Sequence, residues 1–530
     1  MIDKVGDSAC RSLGSVFCYS TVKTLSLIDR VKTLVCLVVC WGLTLSGLAD
    51  EPLTVTFRVT GADGAVLPCR IHLRDDAGKA WHTKFERAAP WGHICDGMAQ
   101  FDLPAGNYVY EIEKGPQWSV VSKRFSLQST SPPADQPIQI VEQLKQQVDL
   151  VGEGWYGGDL HVHRPIAEIP LIMRAEDLRI ASVQTWWNEQ NLWEGKTLPP
   201  TPLSLVDSAR MFHVFGGEDE RGGGALLFHD MDRLIDITGS EREWPPSVRF
   251  QDQAAEAGAW VEIEKPFWWD TPIWLANGKV DSIGIAHNHL HRRGVLPNEA
   301  WGRPRDENRY PGALGNGLYT QELYYRILNC GFRIPPSASS ASGVLANPVG
   351  YNRVYAHLES EFTWKTWWNR FRAGHVFVSN GPLLRLTANG QLPGTTLSFE
   401  KGGGLIRIKG RLDSRDPIES IELVQNGEIT KLSLPGEIRV KESGWILVRA
   451  IASPKETFRF ASTGPWYVEI GDRTARPRRE DAAFFLQWVR ERRERVAETM
   501  KGDARLNQSL APIDKALSFW QEKLGSSKAN

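Results

Sequence analysis

The residues with chemistry to offer gather in a few short stretches. His161 and His163 stand one residue apart in Gly157-Gly158-Asp159-Leu160-His161-Val162-His163-Arg164. An apolar residue between two histidines suits a strand end, where side chains at i and i+2 share a face and both imidazoles can meet one cation. Glu218 follows the apolar run Phe212-His213-Val214-Phe215 and two glycines, and His229 closes Ala225-Leu226-Leu227-Phe228. Glu264-Lys265-Pro266 ends the stretch that opens at Trp260, and a second triplet, His287-Asn288-His289, follows Ser282-Ile283-Gly284-Ile285-Ala286. Histidines and carboxylates at successive strand ends make a nitrogen and oxygen ligand set for a divalent ion, zinc or manganese, with room for a water.

Those stretches need a frame that brings strand ends together. Residues 166–178 carry apolar side chains at helical spacing, and Ile180-Ala181-Ser182-Val183-Gln184-Thr185 reads as the next strand. Residues 319–328 and 364–371 read as further helices between apolar runs. Gly-Asp-Leu-His-Val-His resembles the first motif of the PHP (polymerase and histidinol phosphatase) superfamily of metal-dependent hydrolases, in particular its CehA/McbA-like branch. Gly216-Gly217-Glu218, Phe228-His229 and Arg372-Ala373-Gly374 leading into Val378-Ser379-Asn380-Gly381-Pro382 continue the resemblance in family order, over residues 150–385. It implies a distorted β/α barrel with its site at the C-terminal strand ends, and Glu218 as a metal ligand.

The chain also departs from that pattern. Trp186-Trp187-Asn188 stands where the family has Thr-Asp-His, Glu264-Lys265-Pro266 where it has Ala-His-Pro, and serines and alanines of residues 337–342 where it has Ser-Asp-x-His. The expected centre therefore shrinks to one ion, with two as the alternative, held from His161, His163, Glu218, His229, Glu264 and His289. His289 is expected to replace a lost ligand, against the alternative of a polar rim loop with Arg292 and Arg293. Glu218 and Glu264 are the candidate proton carriers, with Lys265 as an electrostatic partner; the alternative for Glu264 and Lys265 is a plain ion pair. Among 21 tryptophans, Trp187, Trp268 and Trp269, with Asn188 and Arg164, are expected to receive a small-molecule or glycan substrate, although tryptophans also serve simply as packing.

A formal net charge of -1 over 530 residues argues against nucleic acid as a partner. Arg30 and Lys32 precede an apolar run and Ser46-Gly47-Leu48-Ala49, the pattern of an export signal over residues 1–49, so the protein is expected to be periplasmic or extracellular, with no membrane span once that signal is cleaved. Four of the seven cysteines would leave with it; of the three that remain, Cys69 and Cys95 are either a disulfide or two buried thiols and Cys330 is a packed thiol. Alternating runs over residues 50–148 predict a β-sandwich whose Leu-Pro-Ala-Gly-Asn-Tyr turn resembles the prealbumin-like regulatory domain of carboxypeptidases, joined through a polar link at residues 129–137. Similar runs over 386–472 predict an immunoglobulin-like sandwich, and residues 480–525 two helices with a solvated Arg/Glu face at 490–495. The fold class expected is thus multidomain α/β plus β, a PHP-like barrel flanked by two sandwiches. Its function would be that of an exported hydrolase of an ester, amide, carbamate or phosphoester; the alternative is a degenerate barrel that binds a glycan or other surface polymer without turning it over.

Overall fold

The computed structural model describes residues 52–82, 92–128, 137–188, 190–345, 347–471 and 475–527. The expected export signal and nearly all of the polar link at residues 129–137 lie outside them. Leu53–Asn530 form one compact unit of mixed α/β structure, mostly strand, with seven α-helices among the described residues. None of these helices is long and apolar enough to cross a membrane.

The strand Trp155–Val162 lies between two neighbours. It pairs in parallel with Ile180–Trp187 and antiparallel with Arg353–His357. Ile180–Trp187 continues in parallel to Arg210–Arg221, which turns back as a hairpin onto Gly224–His229. From there the sheet runs antiparallel to Trp260–Ile263, then in parallel to Ser282–Ala286 and Pro336–Ala338. An isolated parallel bridge joins Val162 to Ser342. Helices lie between consecutive parallel strands, as such connections require: Ile169–Ala175, Thr271–Asn277 and Gly315–Asn329.

Local sequence explains the elements that matter here. Helix Trp364–Arg372 begins in a capping box between Thr363 and Thr366. Trp364, Trp367, Trp368 and Phe371, spaced i, i+3, i+4 and i+7, bury one face of it against the sheet. The hairpin that carries Glu218 has Gly224 at φ 115°, a backbone where a side chain would run into the Trp268 ring. A Cβ on Gly217 would fall 1.8 Å from the Trp186 indole, so that ring can seat itself only over a glycine.

The strands among the described residues of 53–82 and 92–127, with Ile138–Gln143, form a three-stranded and a four-stranded sheet around one apolar cluster. Cys69 and Cys95 face each other there across paired strands, as free thiols with sulfurs 3.7 Å apart. Strands of residues 383–470 enclose a second cluster. The C-terminal helices are Arg479–Thr499 and Leu506–Gly525. Their expected solvated face needs a correction, because Arg492 is buried and bridges Asp270 (2.6 Å) and Glu243 (2.5 Å). The helix closes over the site unit, and that contact was invisible in a local run of Arg and Glu.

Candidate metal centre

His161 stands at the end of its strand and His163 just beyond it, so their side chains project to the same side. Their Nε2 atoms are 2.8 Å apart, and each lies 3.2 Å from Glu218 Oε2. Ligands of one tetrahedral zinc stand ~3.3 Å from one another when each bond is ~2.0–2.1 Å. These three residues therefore form a group that could hold a metal ion.

The electrostatics fit the same reading. Burial disfavours charge on His161, yet the carboxylates of Glu218 and Glu264 outweigh it and raise the imidazole to about 10. Burial would raise Glu218 too, but His161 and His163 pull it down to about 2. The pocket thus draws positive charge to the point where the three donor atoms meet, and a proton there does what a cation would do.

Glu264 is not brought into the trio. Its Oε1 faces the other ring nitrogen of His161, Nδ1, at 3.5 Å, while Oε2 accepts from Lys265 Nζ and from the Trp268 indole N–H (3.1 Å). Despite full burial, which acts upward, Lys265 and His161 hold this carboxyl well below its usual range. A carboxylate on the far nitrogen of a ligand histidine fixes the tautomer and the ring's direction. The ion pair with Lys265 and that orienting contact coexist.

His229 and His289 are also left out, each for a visible reason. His229 shares a hydrogen bond through Nδ1 with Ser182 Oγ (2.9 Å), and its Nε2 lies 4.0 Å from Glu262 Oε2 in a fully buried layer. Strand Ser282–Ala286 ends before the second triplet, so the rings of His287 and His289 splay 5.4 Å apart at 82°. His287 Nε2 bonds Thr320 Oγ1 (2.9 Å), and its Nδ1 accepts from the His289 backbone N–H (3.3 Å). Burial and then Lys265 push His289 well below its ordinary value. A cation brought there would meet the same repulsion.

Of the expected substrate contacts, Trp187 stands edge-on to His163 (4.7 Å between ring centroids), half-buried. Asn188, in a left-handed backbone at φ 49°, accepts the Glu220 N–H (3.0 Å). Arg164 is half-buried and pairs with Glu168. Trp268 and Trp269 are corrections. Trp268 is buried against Glu264 and Lys265, and Trp269 lies under the C-terminal helix with Arg495 across its ring at 4.4 Å. Trp301, 46% exposed and stacked on Trp268, presents the open aromatic face instead.

Two further carboxyls lie close by: Glu220, one of the alternatives to Glu218 that the run Glu218-Asp219-Glu220 leaves open, and Glu262. Burial, then the negative charges of Glu218 and Glu264, raise Glu220 to about 8, and burial raises Glu262 to about 7. Each lies two residues from a chosen carboxylate, on the same strand face. That spacing was the available signal. No protein-family model matches the chain, and no curated protein matches it.

Proposed function

We propose that this protein is a metal-dependent hydrolase of the PHP type, with one zinc or manganese ion held by His161, His163 and Glu218. The carrying observation is the convergence of three donor atoms within 3.2 Å, with Glu264 set on the outer nitrogen of one of them. A divalent ion supplies Lewis acidity toward water and toward the carbonyl or phosphoryl group of an ester, amide, carbamate or phosphoester. The chain's own residues do the rest. Glu264, anchored by Lys265 and Trp268, keeps the His161 ring aimed; Trp187 walls His163 on one side; Glu220 offers a further carboxyl from the Glu218 strand.

The same proposal covers architecture and location. Residues 150–385 are a PHP-like barrel between two β-sandwiches, supported by continuous pairing from Trp155–Val162 round to Pro336–Ala338, parallel except on either side of Gly224–His229, and by the bridge from Val162 to Ser342. The export signal makes the protein periplasmic or extracellular. The second reading, a degenerate barrel that binds a glycan or other surface polymer, draws support from His229 and His289 lying outside the donor group and from the exposed Trp301.

Elemental analysis of the full chain, as isolated and after incubation with zinc or manganese, tests the proposal beside assays on nitrophenyl esters and a nitrophenyl phosphodiester. One ion per chain, and hydrolysis that disappears with it, is the expected result. A chain that takes up neither metal sinks the hydrolase reading and leaves the binding module.

A further inference from the structure

A second concentration of unusual charge lies away from the trio, where the N-terminal sheets meet the site unit. A cavity of about 300 Å³ is lined there by Lys114, Arg174, Arg179 and Arg210, with Asp177 as its one carboxylate and Trp118 as a wall. Lys114 is 4% exposed. Its ammonium donates to the carbonyl oxygens of Pro68 (2.9 Å) and Arg174, and makes no ion pair among the described residues. An ammonium carries three donors, so one is left over.

The arginines are equally underserved. Arg179 and Arg210 share a single oxygen, Asp177 Oδ1, at 3.0 Å each, and Arg210 has a second carboxylate only in Asp207 (2.9 Å). Asp177 is already saturated, because its other oxygen accepts from Gln117 (2.6 Å) and Trp118 (2.9 Å). The buried Nε atoms of Arg179 and Arg210 have no acceptor. Arg174 has no side-chain partner among the described residues.

A neighbouring cavity of about 420 Å³ shows what compensation looks like. Its Arg292 meets Glu111 and Glu113, Arg459 meets Asp416, and Arg353 meets Glu176. Holding a cation out of water is costly, and burial lowers Lys114 to about 8 although Asp177 pulls it the other way.

We propose that the Lys114 cavity is a binding site for a small tetrahedral oxyanion, phosphate or sulfate, either free or as the end group of a small organic molecule. Such an ion offers several acceptor oxygens to the spare proton of Lys114, the Arg174 guanidinium and the two orphaned Nε–H groups, and charge-assisted bonds of this kind are the strong ones. The site is separate from the trio. Arg179 precedes strand Ile180–Trp187 and Arg210 opens strand Arg210–Arg221, whereas Glu218 lies eight residues further along the latter, roughly 25 Å in extended chain. The inference stands whether or not the trio holds a metal.

Titration calorimetry on the full chain and on its His163→Ala form, with inorganic phosphate, inorganic sulfate and phenylphosphonate at constant ionic strength, provides the test. One saturable site per chain, equal in both proteins, is expected. Tighter binding of phenylphosphonate than of the inorganic ions identifies an organic end group, and equal binding a free oxyanion. Arg174→Gln, a change at a half-buried side chain without partners, should weaken binding about tenfold, the loss of one charge-assisted hydrogen bond. Lys114→Met should abolish it. Absence of saturable binding for all three anions, unchanged affinity in Arg174→Gln, or loss of binding in His163→Ala would each overturn the proposal.

Discussion

Two histidine triplets with the same spacing, His161-Val162-His163 at the end of one strand and His287-Asn288-His289 just past the end of another in the same sheet, meet opposite fates. In the first, the extended backbone runs on through Val162, and Glu218 arrives from the next strand but one to meet both Nε2 atoms. In the second, the strand stops at Ala286, a turn bond from Leu290 N–H to His287 carbonyl (2.9 Å) takes over, and the nearby charge is the ammonium of Lys265. Alternation along a strand aligns two side chains only while the strand lasts. The sign of the neighbouring charge then decides whether aligned rings gather a cation or repel one. Glu264 and Lys265, adjacent in sequence, divide these roles: the carboxylate faces His161, and the ammonium adds to the burial that depresses His287 and His289.

The largest expected effect separates the triplets outright. His161→Ala removes a donor from a group of three and should abolish metal uptake, whereas His289→Ala should leave one ion per chain. Elemental analysis of the two variants after zinc incubation decides it. Metal lost from His289→Ala with its fold intact would mean that the second triplet moves into the centre when metal is present.

Acid should attack the second triplet. Burial first, and Lys265 after it, lower His287 from 6.5 to about 3. A folded-state pKa below the unfolded value means that the unfolded chain binds the proton more readily. The contribution is therefore complete above pH 6.5 and is lost as pH falls toward 3, by at most about 1.4 kcal/mol per unit of separation. His213, lowered to about 4 by burial, acts in the same direction. Denaturant melts across this range should show a shallower fall in His287→Gln, which keeps a donor for Thr320 but does not titrate. An identical slope in the variant would place the acid sensitivity elsewhere.

What the sequence disclosed follows from range. Period-two runs and the i, i+3, i+4, i+7 pattern at residues 364–371 are local, and they point to the strands that carry the histidines and to three of the helices, while helices Val248–Glu256 and Thr271–Asn277 and strand Pro336–Ala338 carry no such signal. The pairing of His161 with His163 was legible because a strand end carries them and their spacing sets which way they face, whereas Glu218, inside strand Arg210–Arg221, was singled out by the family resemblance. Trp269 was misread because its cover, Arg495, comes from a helix more than two hundred residues away. Glu262 was overlooked inside an apolar-looking strand, although it shares a face with Glu264. His289 failed on a turn that begins one residue after the strand, below the precision with which a strand end can be read from composition.

A smaller effect tests how the first triplet is held. Glu264→Gln keeps the size of the side chain but replaces the charge that faces His161 Nδ1. Outer carboxylates on ligand histidines contribute about 10–100-fold to metal affinity. Competition with a chelating dye should show a loss of that order, with one ion still bound at saturation. Unchanged affinity would reduce Glu264 and Lys265 to a plain buried ion pair.

Thr320→Val gives the finest test, because it touches the second triplet alone. The Thr320 hydroxyl donates to the Asn316 carbonyl (2.9 Å), so toward His287 it acts as acceptor, and His287 must carry its proton on Nε2. Nδ1 is then free to accept the His289 backbone N–H, which fixes the turn. Valine has nearly the same shape but no acceptor, and leaves a fully buried N–H unsatisfied at a cost of about 1–3 kcal/mol. Thermal melts should register that loss, while metal stoichiometry and affinity at His161, His163 and Glu218 stay as they were. Were metal affinity to fall alongside stability, the two triplets would be coupled through the sheet, and their separation into a binding pair and a structural pair would have to be given up.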